Sequence, residues 1–389
     1  MKKRLKILNL VDIPWHSALA DYALAQAEAL EEAGCEIFFA CGEKSHVSLK
    51  TAEKGWETLN VPDRKKFFTP LSLLSLKKFV EEKGIDALNA HTGRMQTVSY
   101  LLSFLSKRPF WIIRTKSDAK GIRKSLTYSR VSGVIAGSGY IKEMFVRTGL
   151  GKGKIKVAYR SPAPGLYAPP PAVKPFRVGL LGRLDPVKGH KDFIAAALLL
   201  LEKGKDAEFL MAGREENVKW RDLAGLIPAK FAEKFKYLGF AEDSAGFINS
   251  CHLGVIASTG SEAVSRAAME WMNAGRLLIS TDVGSLPELV GKEFLVPPWN
   301  PELLAKKISD NLEPGRLEKE GLKNLEKMKE KFGLENFRKG TEAAFQEFCR
   351  ISASGATGAG LPAGRSQGSY ADGRISPSGG SAPQGPHVP

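Results

Sequence analysis

Residues 258–291 read STGSEAVSRAAMEWMNAGRLLISTDVGSLPELVG, and the rest of the chain is organised around this stretch. The pattern predicts a glycine-bearing loop, a helix, a short buried strand at 277–280 and a second loop that opens another helix. Glu262 stands at the predicted start of the first helix and Glu270 two turns further on, with Ser261 as the candidate N-cap. The first amide hydrogens of such a helix lack partners within it and attract phosphate.

The two glutamates add a second kind of ligand chemistry to this stretch. An ionised carboxylate accepts hydrogen bonds from sugar hydroxyls. The spacing alone decides little, because Glu28 and Glu36 repeat it in a different context. The glycines around Glu262 and Glu270 distinguish this pair. A site that takes a sugar and a diphosphate together would bind a nucleotide sugar, and that is the hypothesis the rest of the chain must meet.

Two strings of this sequence resemble family 4 of the retaining glycosyltransferases. One is the stretch from Glu262 through residues 280–290, and the other is GRLDPVKG at 182–189, in the order and separation of that family. The resemblance is dense over 176–298, thinner over 6–160 and absent after 350. It implies an α/β protein of the GT-B fold, in which two Rossmann-like, doubly wound domains face each other across a cleft.

Length and composition agree with two ordinary domains. The chain has 389 residues, of which 43% are hydrophobic and 25% charged, and its net charge is +15. This charge favours acidic partners such as phosphates and anionic lipids. Four scattered cysteines indicate reduced thiols, and the longest apolar run, 193–201, is far short of the ~20 residues of a membrane-spanning helix. We expect a cytoplasmic protein that can also sit peripherally on the inner face of the cytoplasmic membrane.

Apolar runs alternate with helical patterns in both halves, which predicts parallel strands joined by crossover helices. Strands are predicted at 6–11, 36–40, 87–90, 111–114, 134–136, 177–181, 208–212, 236–238 and 253–257. The resulting domains are 1–165, a Pro-rich linker at 166–176, a nucleotide-sugar-binding domain at 177–333, a helix at 334–350 that by resemblance returns to the first domain, and a tail at 351–389. The tail consists mainly of Gly, Ser, Ala and Pro and is predicted to be disordered.

The predicted strand ends of the first domain carry polar side chains, where an α/β sheet binds its ligands. His16, Arg94, Arg114 and Lys116 are the candidate acceptor-side residues. The resemblance places His91 beside the reacting sugar, and the alternative is a hydrogen-bonded structural histidine. In the family the first loop carries paired glycines that approach the donor phosphate, whereas this chain has Pro14-Trp15-His16-Ser17.

The segment from Arg64 to Phe79 combines basic residues, aromatic residues and a leucine-rich helix. This composition suits the surface of an anionic membrane. The alternative is an ordinary amphipathic helix that packs on the sheet with its lysines in water.

Arg183 and Lys188 flank a loop between a strand and a helix and are predicted to hold the leaving diphosphate. Two cations within ~4 Å of a diphosphate each contribute roughly 4 kcal/mol of Coulomb energy at an effective dielectric constant near 20. That energy grows as charge develops on the leaving group, so it lowers the barrier. The alternative is that both are surface residues of a loop.

The resemblance supplies the remaining roles. It assigns Glu270 to the ribose hydroxyls and Glu262 to those of the donor sugar, and backbone amides near Ala263, Val264 and Ser265 to the phosphate or sugar. The predicted nucleotide-sugar-binding residues are Gly182, Arg183, Lys188, Gly213, Glu262, Ala263, Val264, Ser265 and Glu270, and the predicted catalytic residues are Glu262, His91, Arg183 and Lys188.

No Asp-x-Asp pair occurs in the chain, which argues against the transferase fold that holds a divalent metal with such carboxylates. We therefore predict a retaining, metal-independent glycosyltransferase without a cofactor, which moves a sugar from a nucleoside-diphosphate sugar to a glycan or lipid-linked acceptor of the cell envelope, as in lipopolysaccharide biosynthesis. The alternatives are a sugar-nucleotide epimerase on the same fold and a non-enzymatic nucleic-acid binder. No nucleic-acid-binding motif supports the latter.

Overall fold

The computed structural model describes residues 4–61, 69–160, 167–260 and 262–349. The first domain is built on a parallel sheet with the strand order β3-β2-β1-β4-β5-β6-β7. Its strands are β1 (Lys6–Val11), β2 (Glu36–Gly42), β3 (Glu57–Val61), β4 (Ala87–Ala90), β5 (Trp111–Lys116), β6 (Gly133–Ala136) and β7 (Ile155–Val157). Its helices are α1 (Ala18–Glu32), α2 (His46–Glu53), α3 (Pro70–Lys83), α4 (Gly93–Leu105) and α5 (Gly139–Arg147).

The second domain repeats this plan with the strand order β10-β9-β8-β11-β12-β13, again all parallel. Its strands are β8 (Phe176–Leu181), β9 (Ala207–Ala212), β10 (Phe235–Tyr237), β11 (Leu253–Ile256), β12 (Leu277–Thr281) and β13 (Leu295–Val296). The helices that follow β8 are α6 (His190–Glu202), α7 (Trp220–Ala224), α8 (Ser244–Asn249), α9 (Arg266–Asn273), α10 (Leu286–Leu289), α11 (Pro301–Asn311), α12 (Pro314–Phe332) and α13 (Leu334–Phe348). The predicted α/β class is confirmed.

Three strands, β3, β7 and β13, were not predicted, and all three lie at sheet edges. Edge strand β3 reads ETLNV and has one buried residue, Val61, so it lacks the apolar run that marks a central strand. Strands β7 and β13 have three and two residues, too few for a pattern. The central strands β1, β4 and β11 are buried almost throughout and stand where the apolar runs predicted them.

Helix α13 returns to the first domain and packs against α1. The ring of Phe337 lies edge-on to that of Tyr22 at 5.4 Å between centroids. Further along, the ring of Phe348 lies directly over Gly133 of β6, where a Cβ atom would be 2.2 Å from it. The apolar face of α13 is therefore buried in the core of the first domain. Residues 161–166, which belong to the connection between β7 and β8, and the predicted tail at 351–389 lie outside the described residues.

Helix α3 contains the described part of the basic, aromatic segment. Its inward face buries Leu76 and Val80, and Phe79 packs edge-on to Phe38, as in an ordinary sheet-packed helix. Its outward face leaves Leu71 and Leu74 exposed. Residues 62–68 are not described, and contact with a membrane stays a prediction.

Candidate active site

A cavity of about 700 Å³ lies between the two domains, a size typical of a ligand site. The first domain contributes the loops that follow β1, β4 and β5, and the second contributes Arg183, Ala263 and Val264. All three first-domain loops leave the carboxyl ends of parallel strands, which is where open α/β sheets bind ligands.

Lys188 and Glu262 meet beside this cavity, although 74 residues separate them in sequence. Lys188 Nζ lies 2.5 Å from Glu262 Oε1, and Ser258 Oγ donates to the same oxygen at 2.7 Å. The Glu262 side chain is buried, whereas that of Lys188 is partly exposed. The charged hydrogen bonds hold the carboxylate in one orientation, so it can accept hydrogen bonds from sugar hydroxyls while the ammonium faces a phosphate.

Two glycines allow the backbone around this pair to pack closely. Gly284 has φ +61°, and a Cβ atom there would lie 2.2 Å from the carbonyl oxygen of Glu262. The amide of Ser285 donates to that oxygen at 2.7 Å, so the Gly284 turn holds Glu262 in place. Gly213 has φ +154°, and a Cβ atom would lie 1.9 Å from the carbonyl oxygen of Gly182. The predicted site residues Gly182 and Gly213 are therefore in contact.

Arg183 lines the cavity with its side chain about half exposed. Its guanidinium forms ion pairs with Glu216 at 3.0 Å and with Asp185 at 3.6 Å. Asp185 also accepts from the amide of Val187 at 3.0 Å and from Asn217 at 2.7 Å, which lowers its pKa against the opposing effect of burial. These contacts orient the guanidinium without covering it, so it can reach a phosphate in the cleft.

The helix between the two glutamates begins later than the sequence indicated. Helix α9 starts at Arg266, with Ser265 at the N-cap position but without a side-chain capping bond. Glu262 therefore lies in the preceding loop and not at the helix start, and the proposed N-cap Ser261 is outside the described residues. The loop departs from the pattern because Glu262 is held by Lys188 and Ser258 and not by helix amides. Ala263 and Val264 line the cavity, and Ser265 is buried.

Glu270 lies one turn into α9 and is paired with Arg266, whose Nε is 2.7 Å from Glu270 Oε1. The other side of the Arg266 guanidinium reaches Asp21 of the first domain at 3.4 Å. A carboxylate held in this way can accept two ribose hydroxyls with little loss of side-chain entropy. Arg266 thereby connects the predicted ribose site to the first domain.

Glu288 forms a second link between the domains. Its carboxylate accepts from the amides of Gly139 at 2.9 Å and Tyr140 at 2.5 Å, at the N-terminus of α5. Burial raises the pKa of Glu288, and the two amides oppose this effect. Beside it, Ser138 Oγ donates to the carbonyl of Ala263 at 2.6 Å. The N-terminus of α5 is therefore capped by a residue of the other domain.

Replacing Glu288 by alanine is expected to loosen this contact, because the two amides lose charged acceptors that contribute about 2 kcal/mol together. Hydrogen exchange of the Tyr140 amide should accelerate by a factor of roughly 10 to 30, since every 1.4 kcal/mol is a factor of ten. The Gly139 amide also donates to the Tyr159 hydroxyl at 3.0 Å and should change less. Glu302→Ala, on an exposed position of the same domain, serves as the control. Equal protection in both variants would show that the carboxylate does not hold the domains together.

His91 is fully buried and is not among the residues that line the cavity. Its Nε2 faces Asn89 at 3.0 Å and Asn9 at 3.3 Å, within a polar cluster that includes Gln26 and Thr115. Burial, reinforced by the charge of Arg114, lowers the pKa of His91 to about 3, so the ring is neutral near pH 7. This arrangement matches the structural alternative, and a catalytic role for His91 stays a prediction.

The predicted acceptor-side residues have different surroundings from one another. Arg114 and Lys116 line the cavity but are buried. Arg114 donates to the carbonyls of Ala90 and Thr115, and Lys116 pairs with Asp118 at 2.7 Å. Burial lowers the pKa of Lys116, although Asp118 opposes that shift. Arg94 also lines the cavity and pairs with Asp12 at 3.6 Å.

His16 is exposed and is not among the residues that line the cavity, although its neighbours Trp15 and Ser17 are. Its Nε2 lies 3.0 Å from Asp21 Oδ1, and His46 Nε2 lies 3.7 Å from the same oxygen. Ligand atoms of these three residues lie within 4.8 Å of one another, which could suit a metal ion. The predicted metal independence of the transfer reaction concerns the cavity and stays a prediction.

Lys120 and Arg123 line the cavity and were missed by the sequence analysis. They lie on the loop after β5, in the string DAKGIRKS at 118–125. The sequence contained one signal for them, because this basic string directly follows a predicted strand. Parallel sheets bind ligands at the carboxyl ends of their strands.

Residues 175–313, most of the second domain, match the family described as glycosyl transferases group 1. A phosphatidyl-myo-inositol mannosyltransferase of Mycolicibacterium smegmatis is 25% identical over 293 residues, which are 70% of this chain and 74% of that protein. The second domain is a glycosyl transferases group 1 domain, and the chain is a glycosyltransferase with the GT-B fold. The family match contains Arg183, Lys188, Glu262 and Glu270, the residues that the resemblance singled out.

Solved structures agree on the fold of this glycosyltransferase. A glycosyltransferase from Rickettsia africae aligns with a TM-score of 0.76 and 18% identity, over 90% of this chain and 100% of that one. HepE of Anabaena, in complex with UDP, aligns with a TM-score of 0.73 and 17% identity, over 88% of this chain and 100% of that one. Within the described residues, no helix has the length and apolarity to cross a membrane.

Proposed function

We propose that this glycosyltransferase moves a sugar from a nucleoside-diphosphate sugar to a glycan or lipid-linked acceptor of the cell envelope, with retention of configuration and without a metal. The pairing of Lys188 with a buried Glu262 beside Arg183, at the edge of the interdomain cavity, carries this proposal. The Glu262 carboxylate, which can accept hydrogen bonds from the donor sugar's hydroxyls, is thereby fixed next to the cations that would bind the diphosphate. Transfer from a nucleotide sugar requires both.

The chemistry assigns each group a step. The bond between the anomeric carbon and the diphosphate oxygen breaks, and Arg183 and Lys188 stabilise the charge that the leaving oxygen acquires. Glu262 holds the sugar hydroxyls while positive charge develops on the ring. The acceptor oxygen bonds to the anomeric carbon on the same face, and its proton goes to the departing phosphate. The proposal of retention rests on the resemblance to family 4.

The acceptor proposal is supported by two observations. The mannosyltransferase relative is named for a lipid substrate, phosphatidyl-myo-inositol. The chain has a net charge of +15, and α3 presents Leu71 and Leu74 to the surroundings. Both features suit an enzyme that works at the cytoplasmic face of an anionic membrane, in lipopolysaccharide or related polysaccharide biosynthesis.

A thermal-shift screen of UDP, GDP, ADP and their sugar conjugates tests the donor half. A ligand held at 100 times its dissociation constant stabilises the protein by about 2.7 kcal/mol. Glu270→Ala and Arg183→Ala should each weaken binding of the active nucleotide by a factor of roughly ten or more, because each removes charged hydrogen bonds.

The matched controls are Glu326→Ala on α12 and Arg221→Ala on α7, both at exposed positions. They should bind the nucleotide like the wild type. If no nucleotide stabilises the wild type, the proposal fails. Release of an epimerised nucleotide sugar in the absence of any acceptor would instead favour the epimerase reading.

A further inference from the structure

The first-domain side of the cleft is strongly basic. Arg94, Arg114, Lys116, Lys120, Arg123 and the second domain's Arg183 line one cavity, and Asp118 is the only acidic residue of that lining among the described residues. Like charges gathered in a concave, low-dielectric site repel one another and focus a positive potential into it. Such an arrangement is stabilised when an anion occupies the site.

The donor accounts for only part of this charge. Its diphosphate has Arg183 and Lys188 of the second domain as partners in the proposed reaction. On the first domain, Arg94 is paired with Asp12 and Lys116 with Asp118. Lys120 and Arg123 are exposed and form no ion pair with any residue of the described part of the chain. These two cations therefore remain available to a ligand other than the donor.

Their position fits the second substrate. The loop that carries Lys120 and Arg123 follows β5, and it faces the cavity together with Trp15 of the loop after β1. Trp15 is 55% exposed, and an exposed aromatic ring beside cations is suited to the apolar face of a sugar. Arg114, buried beneath this loop, adds charge to the site without needing to touch the ligand.

We propose that the first-domain side of the cleft binds an acceptor that carries phosphate or carboxylate groups, and that Lys120 and Arg123 contact them. The identification of this anion as the acceptor rests on the proposed transferase function. The positive site itself rests only on the residues that line the cavity. A neutral glycan would leave both cations without a partner, so the anionic group is the feature that selects the acceptor.

Calorimetric titration with glucose 1,6-bisphosphate, with glucose as its neutral counterpart, measures the site directly. Each titration is run without nucleotide and with UDP, GDP or ADP, so that a donor-site ligand is present. We expect the bisphosphate to bind at least about tenfold more tightly than glucose, a difference of 1.4 kcal/mol. Its affinity should fall as salt is raised.

The test variant is K120E/R123E and the control is K203E/K205E, an identical charge change at exposed positions at and just after the end of α6. The test variant should lose at least about tenfold in affinity for the bisphosphate, and K120Q/R123Q should lose part of it. The control should change the affinity little. If the test and control variants lose affinity equally, the anion binds to net charge and the proposed acceptor site is wrong.

A vesicle arm distinguishes the source of the anion. Vesicles of phosphatidylglycerol in phosphatidylcholine are compared with pure phosphatidylcholine in a sedimentation assay. If K120E/R123E weakens binding to the anionic vesicles, the anion is a lipid headgroup. If K120E/R123E weakens only the binding of the bisphosphate, the anion belongs to a soluble phosphosaccharide. Either result supports the anionic site.

The thermal shift with nucleotides separates this inference from the proposed function. If a nucleotide still stabilises K120E/R123E while neither anionic probe distinguishes it from K203E/K205E, the acceptor inference fails and the transferase function stands. If no nucleotide stabilises the wild type, the function fails, and the bisphosphate titration still decides whether the anion site exists.

Discussion

Lys188→Ala is expected to lower the rate of sugar transfer by a factor of about 10³, close to 4 kcal/mol of barrier. The substitution removes a cation from the leaving diphosphate. It also removes the 2.5 Å ion pair and leaves the buried Glu262 carboxylate with Ser258 as its remaining side-chain hydrogen-bond partner among the described residues. The measurement uses the nucleotide-sugar donor that stabilises the wild type and follows the release of nucleoside diphosphate. Water serves as the acceptor in this assay.

Loss of stability must be separated from loss of chemistry, because Lys188→Ala leaves a buried carboxylate without its cation. In a fully buried pair such a change costs roughly 3 to 5 kcal/mol, and the cost is smaller here because Lys188 is partly exposed. The double variant K188M/E262Q removes both charges and should regain much of the thermal stability that Lys188→Ala loses. Its turnover should stay low, since the cation is still absent. Lys203→Ala, an exposed lysine outside the cavity, is the control. Recovery of turnover together with stability in the double variant would mean that the pair is only structural.

Gly284→Ala should strongly destabilise the second domain although it adds only one methyl group. The left-handed backbone at φ +61° costs alanine roughly 1 kcal/mol, and a Cβ atom 2.2 Å from the Glu262 carbonyl forces a backbone shift that costs roughly 2 kcal/mol more. We expect a total near 3 kcal/mol. The shift moves Glu262, so nucleotide-sugar affinity should also fall.

Gly204 provides a matched control because its φ is +70° and a Cβ atom would have nothing within 4 Å. Gly204→Ala should therefore cost only the backbone term, about 1 kcal/mol, and should leave nucleotide-sugar affinity unchanged. Urea unfolding followed by tryptophan fluorescence reports the stabilities of the two variants, and the donor titration reports the affinities. Equal losses in both variants would show that the close approach to Glu262 costs nothing.

Strands that are buried on both faces could be predicted from the sequence, whereas less buried strands could not. Residues 87–90 and 253–256 are predicted and observed as strands, because a central parallel strand is covered on both faces and reads as an apolar run. An edge strand such as β3 is covered less and lacks that run. The predicted start of α9 at Glu262 was also wrong, because the helix begins at Arg266. The loop before it is held by contacts with Lys188 and Ser258, which local pattern does not encode.

The site shows the same division. The string around Glu262 and the string around Lys188 could each be recognised in the sequence, and both lie in the part of the chain that matches the group 1 family. The position of His91 at a strand end suggested a ligand, but only the fold shows that its ring is buried among amide side chains. Lys120 and Arg123 were not singled out in the sequence, and only the fold places them in the cavity lining.

The sequence by itself determined the α/β class, the repeated parallel sheets and the residue types needed for a sugar and a diphosphate, because these depend on local patterns of apolar and polar residues. Only the tertiary structure decided that Lys188 pairs with Glu262, that Arg266 and Glu288 connect the two domains, and that the loop after β5 makes the cleft basic. These contacts join residues far apart in the chain. They form only when strand order brings the ends of distant strands to one edge, and no local pattern specifies that order.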